Sequence, residues 1–249
     1  MWRSGYAVTL LAAVTYASLP LPSYIKPCAR SDPDFNICAL QHAKETFPVF
    51  VKGDRKYKIP RMDPLEIAEM EISEGPSNGG LSLSMRNVKM YGLKHAVLQK
   101  TEFDFDRNHV MYDTNIPVLT ILGEYEVSGR ILLLPISGKG DINITLINSH
   151  LTYSYDFDIV ERNGNRYHVT KNHKAVVEPT VGLYHLSNLF NGDKLLGTQV
   201  NGFLNENWQE IYRSMSPAIS EAFAQVVGNI VNTIASGLPY DALFPVTGH

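Results

Sequence analysis

The sequence predicts an α+β fold in which a strongly curved antiparallel β-sheet wraps along a long C-terminal helix. From Leu65 to Leu189, apolar and polar residues alternate with the period of two that is typical of strands. From Asp193 the period changes to 3.6, and an apolar stripe continues for about 40 residues, which as a helix would span about 60 Å. Because that length exceeds the diameter of a compact domain, we expect the sheet to extend along the helix.

Residues 1–17 predict a secretory signal peptide. A short apolar run at 6–14 follows a basic residue, and cleavage is expected after Ala17. A membrane anchor is the alternative, but the run is shorter than the about 20 residues that span a bilayer, and Pro20 stops it. We therefore expect residues 18–249 to form one secreted, extracellular domain without integral membrane association.

The start of this domain predicts a helix tied down by a disulfide bond. Cys28 and Cys38 are the only cysteines, and in an oxidising compartment two thiols this close in sequence are expected to pair. Two free buried thiols are the alternative. Apolar residues at helical spacing predict a helix over 34–51, which Pro48 should end or bend.

The middle of the chain predicts long, bent antiparallel strands. The dense apolar runs at 118–122 and 130–134 are typical of strands that are covered on both faces. The longest strand is predicted over 141–161, and its apolar residues change parity between Leu146 and Ile147. Because side chains in a strand alternate strictly, this change predicts a bulge or a sharp bend there.

Two local signals predict where the chain changes direction. The segment at 162–165 contains Asn-Gly, which predicts a hairpin turn followed by an antiparallel strand over 166–177. Ser216-Pro217 interrupts the C-terminal apolar stripe, which predicts a kink or two helices in series at that point.

The signatures of common enzymes are absent from the sequence, and a non-enzymatic protein is predicted. There is no Gly-x-Ser-x-Gly elbow, no His-Glu-x-x-His pair and no phosphate-binding or dinucleotide-binding glycine motif. Asp104 begins a segment similar to a calcium loop, but His109 and Asn115 stand where glycine and glutamate are required. Neither a metal nor a cofactor is predicted. The net charge of −3, without a basic stripe, argues against a nucleic-acid partner.

Asn143-Ile144-Thr145 matches the acceptor pattern for N-glycosylation. If Ile142 and Ile144 face the interior, Asn143 faces outward, as a glycan requires. Asn143 is therefore a candidate glycosylation site.

Several segments lie in order along nearly the whole chain. They are 28–38 between the cysteines, 61–65 (RMDPL), 129–136 (GRILLLPI), 189–194 (LFNGDK), 203–208 (FLNENW) and 238–245 (LPYDALFP). Together they resemble the takeout and haemolymph juvenile hormone-binding proteins of insects. The hormone-binding members carry a second disulfide bond in the C-terminal half, and its absence here places the chain on the takeout side.

The resemblance implies a TULIP-like super-roll, in which the sheet and the long helix surround an elongated apolar tunnel. It also implies a carrier of a small hydrophobic ligand in haemolymph or another extracellular fluid. The ligand would be a terpenoid such as juvenile hormone, or another lipid. Takeout-type members are linked with feeding, circadian output and chemosensory tissues. We expect a monomer.

The candidate ligand-binding residues are apolar or aromatic side chains on the inward faces of these elements. They are Phe47 on the first helix, Tyr125 and Val127 on a strand, and Phe203, Trp208, Ile211, Met215 and Phe223 on the long helix. Tyr125 is the candidate polar contact, because a buried phenol needs a partner. Periodicity identifies an inward face, but it does not separate a ligand wall from plain core.

Two other functions fit the same pattern. An interaction protein would use an apolar groove to bind another protein or a membrane surface, and it would not retain an apolar small molecule through gentle purification as a carrier should. A secreted lipid-modifying enzyme would turn over lipid esters, and a single Ser or His substitution would abolish this turnover.

Overall fold

The computed structural model describes residues 19–73, 80–132 and 134–247, so the predicted signal peptide lies outside the described residues. The elements are α1 (Phe35–Phe50), β1 (Leu65–Ser73), β2 (Ser82–Tyr91), β3 (Val97–Asp104), β4 (His109–Ile131), β5 (Leu134–Arg162), β6 (Asn165–Glu178), β7 (Val181–Leu186), α2 (Lys194–Glu206), α3 (Trp208–Gly237) and α4 (Tyr240–Leu243). A long, curved antiparallel sheet packs against C-terminal helices, which confirms the predicted α+β fold. The sheet is not closed.

The long β4–β5 hairpin forms the centre of the sheet, and all strand pairs are antiparallel. One half of the hairpin, residues 119–131 and 134–146, is flanked by β1 and β2 on one side and by β7 on the other. We call this part of the sheet the aliphatic half. The other half, residues 109–116 and 149–162, is flanked by β3 and β6, and we call it the aromatic half. The names describe the side chains that face the interior.

Both central strands change their inward face at the boundary between these halves. The buried residues are Ile116 on β4 and Ser149 on β5 on one side of the boundary, and Leu119 and Leu146 on the other. Asn148 has a left-handed backbone with a φ of 47°, which a short polar residue tolerates. The irregularity predicted in β5 is therefore confirmed, and it allows one hairpin to serve both halves.

The turns of the sheet confirm one prediction and correct another. Asn163 and Gly164, with φ values of 52° and 76°, join β5 to β6 in the predicted hairpin. The strand predicted over 130–134 is wrong, because β4 ends there and the chain reverses at Leu132, which has a φ of 55°. β5 therefore begins earlier than expected and is 29 residues long.

The prediction that the run at 118–122 is covered on both faces is also wrong. Leu119 is buried in the interior, but Val118 and Leu122 lie on the outer face and are 45% and 36% exposed. The dense apolar run therefore marks an exposed apolar surface on the outside of the aliphatic half.

The C-terminal stripe forms two helices in series, but the break lies at Asn207 and not at Ser216-Pro217. Pro217 lies inside α3, and its missing N–H leaves the carbonyl of Arg213 without its helical partner. The Ser216 hydroxyl donates to that carbonyl at 3.1 Å. α3 runs through the proline and is 30 residues long, about 45 Å. Neither α3 nor any other helix among the described residues is long and apolar enough to cross a membrane.

α2 closes the sheet edge at β7. The Asn201 side chain accepts from the Leu186 N–H and donates to the Leu186 carbonyl, both at 2.9 Å. Asn205 bonds the N–H and the carbonyl of Tyr184 in the same way, at 2.9 and 2.8 Å. The two asparagines, four residues apart on one helix face, take the place of a neighbouring strand and leave no free hydrogen-bonding edge at these positions.

α1 confirms the first predicted helix. It ends two residues after Pro48, which lies in the last helical turn. The predicted disulfide bond between Cys28 and Cys38 ties its first turns to the preceding chain. α1 packs against β3, so it covers the aromatic half.

α4 closes the end of the aromatic half. Asp241 accepts hydrogen bonds from Arg166 on β6 at 2.8 Å and from Arg30 at 3.1 Å. The neighbouring Tyr240 and Phe244 pack their rings against each other and against His168. The C-terminal segment is therefore fixed to the sheet by charge on the outside and by aromatic contacts on the inside.

Candidate functional site

A cavity lies inside the aliphatic half, between the inner face of the sheet and α3. Its wall consists of side chains from the strands of this half and from both long C-terminal helices. They are Met70, Ile72, Leu81, Leu83, Met85, Met90, Ile121, Val127, Ile131, Ile142, Ile144, Leu146, Tyr184, Leu186, Leu204, Ile211, Tyr212, Met215, Ile219 and Phe223. The cavity volume is about 90 Å³.

The wall of this cavity is composed of hydrocarbon and thioether groups, apart from two phenols. The hydroxyl of Tyr212 donates to the Val177 carbonyl and is therefore occupied. Burial raises the pKa of Tyr184 to about 12, and it also raises the pKa of Tyr212. Both phenols are consequently neutral near pH 7. The cavity offers dispersion contacts and a dry environment, and its wall carries no charge.

Four of the eight candidate ligand-binding residues line the cavity. Val127 contributes from β4, and Ile211, Met215 and Phe223 contribute from α3. The helical residues lie on one face because their spacing follows the 3.6-residue period. This part of α3 therefore borders the cavity.

The other four candidates do not belong to this wall. Tyr125 is 2% exposed, and its hydroxyl donates to the Ser187 carbonyl at 2.7 Å, so this phenol fixes the chain after β7. Trp208 packs at Gly182, where an added Cβ would lie 3.1 Å from the indole ring. Phe203 packs on the core, and Phe47 is half-buried on α1, which covers the aromatic half.

The sequence also contained a signal for wall residues that were not proposed as candidates. Leu83 and Met85 on β2 alternate with polar residues, as Ile142, Ile144 and Leu146 do on β5. Their parity placed them on an inward face. The pattern did not indicate which part of the inward surface would border a cavity.

Aromatic rings and their hydroxyl groups fill the interior of the aromatic half. The rings of Tyr153 and Tyr155 lie 5.9 Å apart, and the Tyr153 hydroxyl is 2.7 Å from Nδ1 of His173. Burial raises the pKa of Tyr112 to about 12 and the pKa of Tyr155 well above its ordinary value. Burial lowers the pKa of His173. These groups are therefore neutral near pH 7. The apolar cavity described above lies in the other half, where an elongated tunnel was expected.

Two buried polar groups of the aromatic half have no hydrogen-bond partner among the described residues. Ser149 is completely buried next to the boundary between the halves, and its hydroxyl is unpaired. His168 lies among the rings of Phe157, Tyr240 and Phe244, and its Nδ1 is unpaired. Burial lowers the pKa of His168 to about 4, so its imidazole is neutral at physiological pH.

The possible metal ligands are engaged with other groups. Cys28, Cys38 and His42 lie close together, but the two sulfurs form the disulfide bond. In the segment similar to a calcium loop, the Asp104 carboxylate accepts from the Arg107 N–H at 2.9 Å and forms an ion pair with its guanidinium at 2.7 Å. These contacts stabilise the turn between β3 and β4.

The fold and the cavity define a roll-type protein in which an antiparallel sheet and a long helix enclose an apolar space. The chain belongs to the family described as haemolymph juvenile hormone binding protein (JHBP), whose model matches residues 7–245. This family consists of binding and carrier proteins rather than enzymes.

Relatives and a solved structure agree with this assignment. The chain is 29% identical over 238 residues to the circadian clock-controlled protein daywake of Drosophila melanogaster, covering 92% of this chain and 90% of the relative. It is 21% identical over 217 residues to a putative beta-carotene-binding protein of Schistocerca gregaria, covering 86% of each chain. The crystal structure of Epiphyas postvittana Takeout 1 superimposes with a TM-score of 0.77 at 24% identity, covering 89% of this chain and 100% of that one, and it shows the same fold.

Proposed function

We propose that this protein is an extracellular carrier that binds a small apolar ligand in the cavity of the aliphatic half. The observation that carries the proposal is the uncharged wall of branched aliphatic and thioether side chains beside Ile211–Phe223. Such a wall is complementary to a hydrocarbon, because apart from two phenols it offers water no hydrogen-bonding partners.

The energetics of burial support this function. Apolar surface that leaves water contributes about 25 cal/mol per Å², so a ligand burying about 300 Å² gains on the order of 7 kcal/mol before the costs of association. Ligand pockets usually measure about 300–1,000 Å³, and this cavity is smaller. Four methionines, Met70, Met85, Met90 and Met215, border it, and their flexible thioethers allow the wall to adapt as a ligand enters.

The names of related proteins support a terpenoid or another lipid as the ligand class. The family is named for juvenile hormone, and the locust relative for beta-carotene. The name of the fly relative supports a role connected with the circadian clock. The disulfide bond and the apolar run within residues 1–17 support secretion.

Native mass spectrometry and solvent extraction of the gently purified full chain test the proposal. We expect a co-purified apolar molecule, and we expect displacement of a fluorescent lipid from the cavity. If the chain retains no apolar molecule and binds no fluorescent lipid, the carrier function is wrong, and a groove that binds proteins takes its place.

A matched pair of tryptophan substitutions locates the binding site. Met215→Trp fills part of the cavity and should weaken binding of the fluorescent lipid at least about 10-fold, which corresponds to 1.4 kcal/mol. Leu195→Trp introduces the same side chain on α2 at a position that is 70% exposed, and it should leave affinity unchanged. Equal affinity of the Met215→Trp variant and the parent would place the ligand elsewhere.

A further inference from the structure

The outer face of the aliphatic half carries an apolar surface that is unusual for the exposed side of an antiparallel sheet. Six side chains from four neighbouring strands form it, and we call it the outer apolar face. They are Tyr91, Val118, Leu122, Ile147, Val181 and Leu183. Leu183 is 46% exposed and Tyr91 is 37% exposed. Val118, Ile147 and Val181 are directly opposed, whereas Thr120 and Thr145 lie between Tyr91 and Leu183. A single exposed apolar residue needs no explanation, but a group on one face does.

The outer face of the aromatic half is closer to the usual pattern. Its exposed apolar residues include Val97 and Val176, at 47% and 50%, and each stands opposite a polar residue. Lys171 on β6 pairs with Asp158 on β5 at 2.6 Å, and His109 on β4 lies 2.7 Å from Asp156. Antiparallel sheets of this kind are apolar inside and polar outside. The outer apolar face is therefore a local departure within one continuous sheet.

The single Asn-x-Ser/Thr segment of the whole sequence begins at one border of this face, in the row that contains Leu122. Asn143 is exposed and stands directly opposite Leu122 on β4 and His185 on β7. Thr145 stands opposite Leu183, so Leu183 is the diagonal neighbour of Asn143. Directly opposed residues have Cβ atoms about 5 Å apart and diagonal neighbours about 7–8 Å apart, which is within reach of the first sugar on an asparagine.

We propose that Asn143 carries an N-linked glycan whose first sugars cover the outer apolar face. In the transfer, the side-chain nitrogen of Asn143 bonds to the anomeric carbon of a lipid diphosphate-linked oligosaccharide. The nitrogen loses a proton, and the lipid diphosphate leaves. Because Asn143 is paired on both sides in the folded sheet, transfer precedes folding of β5. The proposal requires entry into the secretory pathway, but it does not depend on the cavity ligand.

Intact mass measurement of the full chain secreted from insect cells tests the modification. The parent and the Thr145→Ser variant should lose mass on treatment with a peptide N-glycosidase, because serine preserves the acceptor pattern. Asn143→Gln and Thr145→Ala should show no such loss. A secreted parent without glycan at Asn143 overturns the proposal, whereas failure of secretion itself would contradict the extracellular location in the proposed function.

Light scattering tests whether the glycan covers this face. The parent should remain monomeric at concentrations at which Asn143→Gln and the enzymatically deglycosylated parent associate. Adding Leu122→Thr and Leu183→Thr to the Asn143→Gln chain should restore the monomer. The coverage is wrong if the deglycosylated chain stays monomeric, or if the glycosylated parent already associates through this face. Lipid affinity should be the same in all of these proteins, because the face lies outside the cavity.

Discussion

The aliphatic and aromatic halves are built on the same two strands, yet their interiors differ in kind. The aliphatic half presents branched and thioether side chains to α3 and contains a cavity. The aromatic half presents rings in edge and tilted contacts, such as Phe157 against His168 at 5.5 Å, and hydroxyls that bond to one another or to histidine. The difference teaches that one sheet can hold an interior with a cavity beside an interior of packed aromatic rings.

Removing a ring from the aromatic half tests how much its packing contributes to stability, and it should have the largest effect. Phe157 is 3% exposed, and Phe157→Ala should lower the free energy of unfolding by about 3–5 kcal/mol. Chemical denaturation measures this change. Lipid affinity of the folded fraction should not change, because Phe157 does not line the cavity. Leu83→Ala is the matched change in the cavity wall, and it should alter affinity. Equal effects of both substitutions on affinity would remove the distinction between the halves.

Acid should destabilise the aromatic half through His168. Burial lowers its pKa from 6.5 to about 4, so between these values the unfolded chain binds a proton that the folded chain excludes. The free energy of unfolding should therefore fall as the pH decreases from 7 to 4, by about 3 kcal/mol from this residue.

Comparing the parent with His168→Phe isolates this effect, because phenylalanine keeps a ring among the neighbouring aromatic groups and cannot titrate. Denaturant unfolding should show that the free energy of unfolding falls less between pH 7 and pH 4 for the variant than for the parent. Identical losses would mean that acid acts through other groups.

Adding side-chain volume should change the free energy of unfolding in opposite directions in the two halves. These are the smallest changes that we expect. Val127→Leu extends into the cavity and should raise the free energy of unfolding by about 0.5–2 kcal/mol while weakening lipid binding. Ala175 is 4% exposed and stands opposite Tyr153. Ala175→Val should therefore lower the free energy of unfolding by about 1–3 kcal/mol through overpacking. Thermal unfolding measures both, and a destabilised Val127→Leu variant would indicate that the cavity cannot accept another methylene.

The sequence predicted the type and order of most elements because periodicity reports which face of an element is inward. The change of parity in β5 was found in this way, and the hairpin at 162–165 was found from the turn preference of Asn-Gly. The alternative of two helices that meet at Pro217 was wrong, because α3 runs through this residue. The Arg213 carbonyl that loses its helical partner accepts from the Ser216 hydroxyl, and such a contact depends on local geometry. The run at 118–122 was misread because density of apolar residues does not reveal whether a covering layer exists.

The site was less predictable than the fold. Asn201 and Asn205 have the pattern of a solvated helix face, and their bonds to β7 require knowing that a strand edge lies beside them. Tyr125 was expected to donate a hydrogen bond to a ligand, but its hydroxyl donates to the backbone carbonyl of Ser187. The cavity arises from how the inward side chains fit together, which is a property of packing that spacing along the chain does not encode.

The shared bend at Asn148 has a consequence for how this protein can be divided. The boundary between the two interiors runs across β4 and β5, so no single point of the chain separates one compartment from the other. A fragment or a chimera that keeps one interior intact must cut both central strands. A deletion or a domain exchange with a single junction will therefore alter both interiors at once.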